Sequence, residues 1–341
     1  MAPVPCVTRG TVDCYHLRLP GRLLPPFAGA CGRPTCRAST PPPSGASATS
    51  TPTNPRRIAF ATSARLATIQ PDDAYLADCL QGLGVAPVSC VWTDPGVDWT
   101  TFDAVLIRTI WDYFKRYPEF LAWLDRLDRL GVPTINDSKL LRWNSDKRYL
   151  LDLAGGDVAV IPTHVAAADQ IGSVLTYLHG QPVVIKPTVS GGAWHTLRGV
   201  AGEATLERAI ATLPAELTYL VQPFIAEVAS HGEWSLVFIA GRYSHAVLKR
   251  PAHGDYRVQE ELGGSALPTE PPPAIRAAAE HALATVAALG HAGHSYARVD
   301  GVPSHGEFLI MELELLEPSL YLAGCPAAAE RLARHLADAL G

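Results

Sequence analysis

Residues 308–316 read Phe308-Leu309-Ile310-Met311-Glu312-Leu313-Glu314-Leu315-Leu316, an apolar strand that carries two carboxylates. Successive side chains along a strand leave on opposite faces, so Glu312 and Glu314 share one face while Leu313 and Leu315 take the other. Two acids held side by side call for a counter-charge. Oxygen donors of this kind suit magnesium, which keeps waters and completes its shell with substrate phosphates. Just upstream, Ser295-Tyr296-Ala297-Arg298-Val299-Asp300 predicts a second strand, ending in an acid. Asp300, Glu312 and Glu314 together form a candidate metal site, one that repels itself in the absence of the ion. The plain alternative for Glu312 and Glu314 alone is a solvated edge strand.

Further toward the N-terminus, Pro182-Val183-Val184-Ile185-Lys186-Pro187 places a lysine at the end of an apolar strand, where an unpaired charge is costly. Ser190-Gly191-Gly192 follows at once, a loop whose backbone N–H groups can cover phosphate oxygens. Ser145-Asp146-Lys147-Arg148-Tyr149 reads as a helix start that presents Lys147. Two lysines, a glycine loop and three acids point to a bound nucleotide.

Before residue 138 the pattern changes. Ile58 to Thr62, Val85 to Trp92 and Asp103 to Arg108 predict strands, the last with an uninterrupted apolar centre that suits a parallel strand covered on both faces. Between them a helix is expected from an Asp72-Asp73 cap to Gly84, and after them one from Phe120 to Gly131. Alternating β and α elements predict a parallel-sheet domain over about 57–137. It has no G-x-G-x-x-G after its first strand, and no G-x-x-x-x-G-K-[ST] occurs in the chain, so neither a dinucleotide fingerprint nor a P-loop is supported. Arg108-Thr109-Ile110-Trp111-Asp112-Tyr113 follows a parallel strand at the edge where open α/β sheets bind ligands. Arg108 could hold a carboxylate against a Trp111 or Tyr113 wall, or serve as an interdomain contact.

The 341 residues are 48% hydrophobic and 18% charged, enough for two domains with a sizeable core. No apolar window of membrane-spanning length escapes a charge; the Ala-rich stretch 274–290 is broken by Arg276, Glu280 and His281. Residues 1–56 carry six Arg and one Asp, so with a whole-chain charge of −5 the remainder carries −10. So acidic a remainder argues against a nucleic-acid surface. The first 56 residues also hold 11 of the 29 Pro and four of the seven Cys, and read as a disordered extension. Cys6, Cys14, Cys31 and Cys36 lack zinc-site spacing; Cys79, Cys90 and Cys325 are isolated and read as reduced thiols of a cytoplasmic protein. His291-x2-His294 sits in a Gly-rich turn with no further ligand nearby. No G-x-S-x-G elbow supports nucleophilic hydrolysis.

Taken in order, Asp146-Lys147, Val184-Ile185-Lys186-Pro187, Ser190-Gly191-Gly192, Val221-Gln222-Pro223-Phe224-Ile225, Arg298-Val299-Asp300 and Glu312-Leu313-Glu314 resemble the motif series of the ATP-grasp superfamily. The likeness spans 57–341 and is nearest the glutathione synthetase and ribosomal-protein S6 glutamate ligase branch. Arg108 to Tyr113, Arg142 to Leu150 and Glu312 to Leu320 are similar to the cyclo-ligases that close O-ureido-D-serine to D-cycloserine.

The resemblance implies a mixed α/β and α+β protein. An N-terminal Rossmann-like pre-ATP-grasp domain (57–137) would precede an ATP-grasp domain (138–341) with a small lobe at about 155–225. It implies ATP and Mg2+, with Lys147, Lys186, Ser190, Gly191 and Gly192 on the phosphates. Gln222, Phe224 and Ile225 would lie along the adenine hinge, Glu227 on the ribose, and Asp300, Glu312 and Glu314 on the metal. The family more often has Asn at the last position, so Glu314 adds a negative charge. Arg250, Arg257 and Arg298 would serve the transferring phosphoryl group. The implied reaction is ATP-dependent carboxylate–amine ligation through an acyl phosphate, releasing ADP and phosphate. Partners would be a small-molecule carboxylate and a nitrogen nucleophile, with no membrane or nucleic acid, and with the homo-oligomers common among relatives. The alternatives are a nucleotide-binding protein without turnover and a small-molecule kinase.

Overall fold

The structure is a computed structural model that describes residues 55–251 and 263–341. Residues 1–54 of the expected extension, with its four cysteines, and Arg257 lie outside the described residues, while Arg56, expected as its last residue, already begins the first strand.

The chain opens with β1 (Arg56–Thr62), α1 (Pro71–Gly82), β2 (Val85–Val91), β3 (Ala104–Thr109), α2 (Tyr117–Leu130) and β4 (Thr134–Ile135). These strands form a sheet in the order β2-β1-β3-β4, paired in parallel. Every residue of β3 is buried because both faces of the sheet are covered. Ile58 and Phe60 face one core with Leu76 and Leu80 of α1. Ala59 and Ala61 face the other with Phe120, Leu124 and Leu127 of α2. The Asp72-Asp73 cap is displaced: Gln70 caps α1 and Pro71 starts it. The two acids instead reach other parts of the chain.

Next come α3 (Ser138–Asn144), α4 (Tyr149–Gly155), β5 (His164–Ala167), α5 (Ile171–Tyr177), β6 (Pro182–Pro187), β7 (Leu197–Val200), α6 (Ala204–Ile210) and β8 (Thr218–Pro223). Strands β5-β8-β6-β7 form an antiparallel sheet. Then follow α7 (Glu227–His231), β9 (Glu233–Ile239), β10 (Arg242–Arg250), β11 (Ser265–Pro268), α8 (Pro273–Ala288), β12 (Tyr296–Ser304), β13 (Glu307–Glu314) and α9 (Pro326–Ala339). The third sheet runs β11-β10-β9-β12-β13, antiparallel throughout.

Alternation divides this third sheet sharply. Trp234, Leu236, Phe238, Val299, Leu313 and Leu315 turn to a core shared with Ile275, Ala282 and Val286 of α8. The opposite face is polar over the middle of the sheet. Val237 and Ile239, on that same face, join Leu332 and Leu336 of α9 in the core beneath β1 and α1, so the last helix returns to pack beside the first sheet. Cys79, Cys90 and Cys325 are free thiols. Among the described residues no helix is long and apolar enough to cross a membrane.

Candidate active site

Antiparallel register brings the polar face together. Asp300 lies directly opposite Glu312 on one side and Ser235 on the other; Arg298 lies opposite Glu314, and Lys249 opposite Glu233. Directly opposed residues share a face and sit close enough for their side chains to interact.

Arg298 holds the centre. Its guanidinium donates to both oxygens of Asp300, at 2.8–3.2 Å, and to Glu314 at 2.5 Å. Lys249 pairs with Asp300 at 3.3 Å and with Glu233. The Ser235 hydroxyl completes the shell around Asp300 at 2.5 Å. Burial works to raise the Asp300 pKa, but Arg298 and Lys249 outweigh it and hold the carboxyl below its usual range. The expected self-repelling acid trio is thus already threaded by cations. Among the described residues no three Asp, Glu, His or Cys side chains form a ready-made metal cage.

Lys147 donates to Glu312 at 3.0 Å and to the Ser190 carbonyl at 2.5 Å. Burial opposes its charge, yet Glu312 keeps the ammonium pKa above normal. It stands two residues before α4 rather than in the first helical turn, and its backbone N–H reaches the Thr188 carbonyl at 2.7 Å. Lys186, at the end of β6, has no ion-pair or hydrogen-bond partner among the described residues, and burial lowers its pKa.

The glycine loop rests on Phe114, from the segment between β3 and α2. A Cβ at Gly191 would meet the Phe114 ring at 2.8 Å, and Gly192 takes φ +56°. Trp194 packs on Phe114 with ring centroids 5.4 Å apart. Along the expected hinge, buried Gln222 donates to Thr163 at 2.8 Å, the Phe224 ring lies under the Arg198 guanidinium, and Ile225 packs near Val302. Glu227 accepts from Ser304 at 2.9 Å, which lowers its pKa.

Two expectations shift. Arg250 is exposed at the end of β10, and its neighbour Lys249 faces the acids instead. The cause is a bulge between Tyr243 and His245: the inserted residue moves every later side chain of β10 to the other face. Arg108 is no free ligand for a carboxylate. It is buried against Asp73 at 3.0 Å and donates to the Pro318 carbonyl at 3.0 Å, tying β3 to α1 and to the loop after β13.

Sequence reasoning missed Lys249, Glu233, Ser235 and Glu317. Only the bulge brings Lys249 inward, so alternation from the Gly241 turn points to the wrong neighbour. Glu317 was within reach, three residues past Glu314. Burial and the nearby Glu314 and Glu312 push its carboxyl up to about 8, Lys147 notwithstanding, while Glu314 is raised to about 7.

Comparison with known proteins adds to this geometry. Residues 58–136 match the model of the D-cycloserine synthetase DcsG N-terminal domain. The cycloserine biosynthesis protein DcsG of Streptomyces lavendulae is 34% identical over 303 residues, which cover 83% of this chain and 98% of that protein. A crystal structure of D-cycloserine synthetase DcsG superposes with a TM-score of 0.75 at 33% identity, covering 84% of this chain and all of the other. The RimK domain protein ATP-grasp from Sphaerobacter thermophilus DSM 20745 shares the fold, with a TM-score of 0.60 at 20% identity over 83% of this chain and 98% of that one.

Proposed function

The chain belongs to the DcsG family of ATP-grasp ligases, and from that premise we propose that it is an ATP-dependent ligase that activates a small-molecule carboxylate as an acyl phosphate. The observation that carries the reading is Lys186: a lysine without an acidic partner, next to a face whose other cations are all paired. An anion is what such a group lacks, and the phosphates of ATP supply it. The glycine loop adjoins this lysine along the chain, and Gln222 to Ile225 and Glu227 line the hinge for the nucleoside.

Magnesium fits the donor set. Five acids (Glu233, Asp300, Glu312, Glu314, Glu317) share the region with three paired cations, and burial beside neighbouring acids raises the carboxyls of Glu314 and Glu317 to about 7 and about 8. A site short of positive charge, with two carboxylates on one strand face and no protein cage, suits an ion that takes its remaining ligands from phosphate and water. Glu312 and Glu314 would hold it, with Asp300 behind Arg298 as the third carboxylate. When bound, it neutralises charge on the β- and γ-phosphates.

The chain's own residues do the rest. Lys186 and Lys147 orient the phosphates, and Arg298 and Lys249 offset the charge that develops as the carboxylate oxygen bonds to the γ-phosphorus and the bond to ADP breaks. Attack of nitrogen on the carbonyl then forms the C–N bond and expels phosphate. Arg257 is proposed to join this group from the segment between β10 and β11. The substrate proposed is O-ureido-D-serine: its N–O nitrogen closes the ring, and water cleaves the carbamoyl group from that nitrogen as carbon dioxide and ammonia to leave D-cycloserine.

The test is incubation with O-ureido-D-serine and Mg-ATP, followed by nucleotide chromatography and mass spectrometry. ADP, phosphate and D-cycloserine in equal amounts are expected. AMP and pyrophosphate would overturn the acyl-phosphate route, and a stable phosphoester would indicate a kinase.

A further inference from the structure

Glu317 carries an inference of its own. Each of the other acids of the face has a cation within ion-pair distance: Glu233 has Lys249, Asp300 has Arg298 and Lys249, Glu312 has Lys147, and Glu314 has Arg298. Glu317 has none among the described residues, although it lies close enough to Glu314, Glu312 and Lys147 to feel their charges. An unpartnered carboxylate in a cluster so fully paired elsewhere is the counterpart of unpartnered Lys186. One lacks an anion; the other lacks a cation.

The backbone around it is held with unusual completeness. Five consecutive carbonyls each have a side chain from elsewhere at hydrogen-bond distance: Tyr296 donates to Leu316 at 3.0 Å, Trp111 to Glu317 at 3.1 Å, Arg108 to Pro318 at 3.0 Å and Arg298 to Ser319 at 3.0 Å, with His245 Nε2 at 2.9 Å from the oxygen of Leu320. Trp111 and Arg108 come from the first domain, while Tyr296, Arg298 and His245 come from the third sheet. A loop fixed from two sides cannot swing, so the backbone from which the Glu317 side chain springs is held where the two meet. Groups that act on a reacting centre gain most when their supports are rigid in this way.

We propose that Glu317 is the acceptor for the nitrogen nucleophile in the second half of the reaction. Its carboxylate takes a hydrogen bond from the attacking N–H. As the C–N bond forms and the C–O bond to phosphate breaks, the proton leaves nitrogen for Glu317. Burial among neighbouring acids makes this carboxylate a stronger base than an ordinary glutamate. The inference rests on the acyl-phosphate reading above and adds to it which residue serves which half-reaction.

Hydroxylamine separates the halves, because it attacks an acyl phosphate without help from a base and leaves a hydroxamate. With O-ureido-D-serine and Mg-ATP, Glu317→Gln is expected to keep hydroxylamine-dependent ADP release and hydroxamate formation within about threefold of the unmodified protein. Ring closure should fall by at least ~10²-fold, the usual scale of a lost general base. Glu317→Asp, with its shorter reach, should recover part of the loss. Ring closure within tenfold of the unmodified protein, or equal losses of hydroxamate and D-cycloserine, would overturn the assignment alone. An unmodified protein that makes neither product overturns the functional reading and this one with it.

Discussion

Arg298 and Asp300, two residues apart on β12, form a bidentate ion pair on one face of the sheet, with Nε and Nη2 at 2.9 and 2.8 Å from the two carboxylate oxygens. The pair sits opposite Glu314 and Glu312 and beside Lys249. Its burial makes it costly to break from either side.

Asp300→Asn is therefore expected to unsettle the protein rather than relieve it. An acid trio without its ion would gain from losing a charge, but here the loss takes one of two acidic partners from each of two buried cations. Breaking a buried pair typically costs about 3–5 kcal/mol. Chemical denaturation should show a loss on that scale, together with abolished turnover. An Asp300→Asn protein as stable as the original would mean the cations are not held by this acid.

Lys186→Ala should weaken nucleotide binding with little effect on stability, since the lysine gives up no protein partner. A charge-assisted hydrogen bond is worth about 1.5–3 kcal/mol, or roughly 10- to 150-fold in affinity. Titration with a non-hydrolysable ATP analogue and magnesium measures this, and unchanged affinity would remove Lys186 from the phosphate site.

The bulge in β10 sets Lys249 against Arg250. Lys249→Met is expected to lower kcat by at least ~10²-fold. Arg250→Ala should stay within about fivefold, under ~1 kcal/mol of barrier. The reverse order would show that Arg250, not Lys249, reaches the transferring group during turnover.

Glu317 gives a pH signature in the free protein. Its folded pKa is raised to about 8 from 4.5, so the folded form holds the proton more tightly than the unfolded chain. That contribution to stability is complete below about pH 4.5 and is lost as pH rises through about 8. Glu317→Gln copies the protonated form, so its Tm advantage over the unmodified protein should grow from pH 5 to pH 9, by at least about 2 °C. An advantage independent of pH would place Glu317 in a more open, better paired setting.

Gly191→Ala tests the seat of the glycine loop. The added methyl meets the Phe114 ring at 2.8 Å, so loop or ring must shift. The KM for ATP should rise while the Tm changes little, and a KM equal to that of the unmodified protein would separate the loop from the nucleotide.

By itself the sequence determined the elements and faces that depend on local spacing. Leu313 and Leu315 go to the α8 core and Glu312 and Glu314 to the other side because a strand alternates strictly, and β3 is buried throughout because its run is apolar throughout. Lys147 and Lys186 stood out as charges set among apolar residues. What needed contacts between distant segments was decided by tertiary structure alone. A bulge at residues 243–245 reversed the faces of β10 and exchanged Arg250 for Lys249, since one extra residue in a period of two inverts everything after it. Asp73 answered Arg108 across 35 positions, and five side chains from distant parts of the chain fixed the carbonyls of 316–320. Hydrogen bonds of that kind leave no period in the sequence, because the donors that satisfy a backbone are chosen by where the chain brings them.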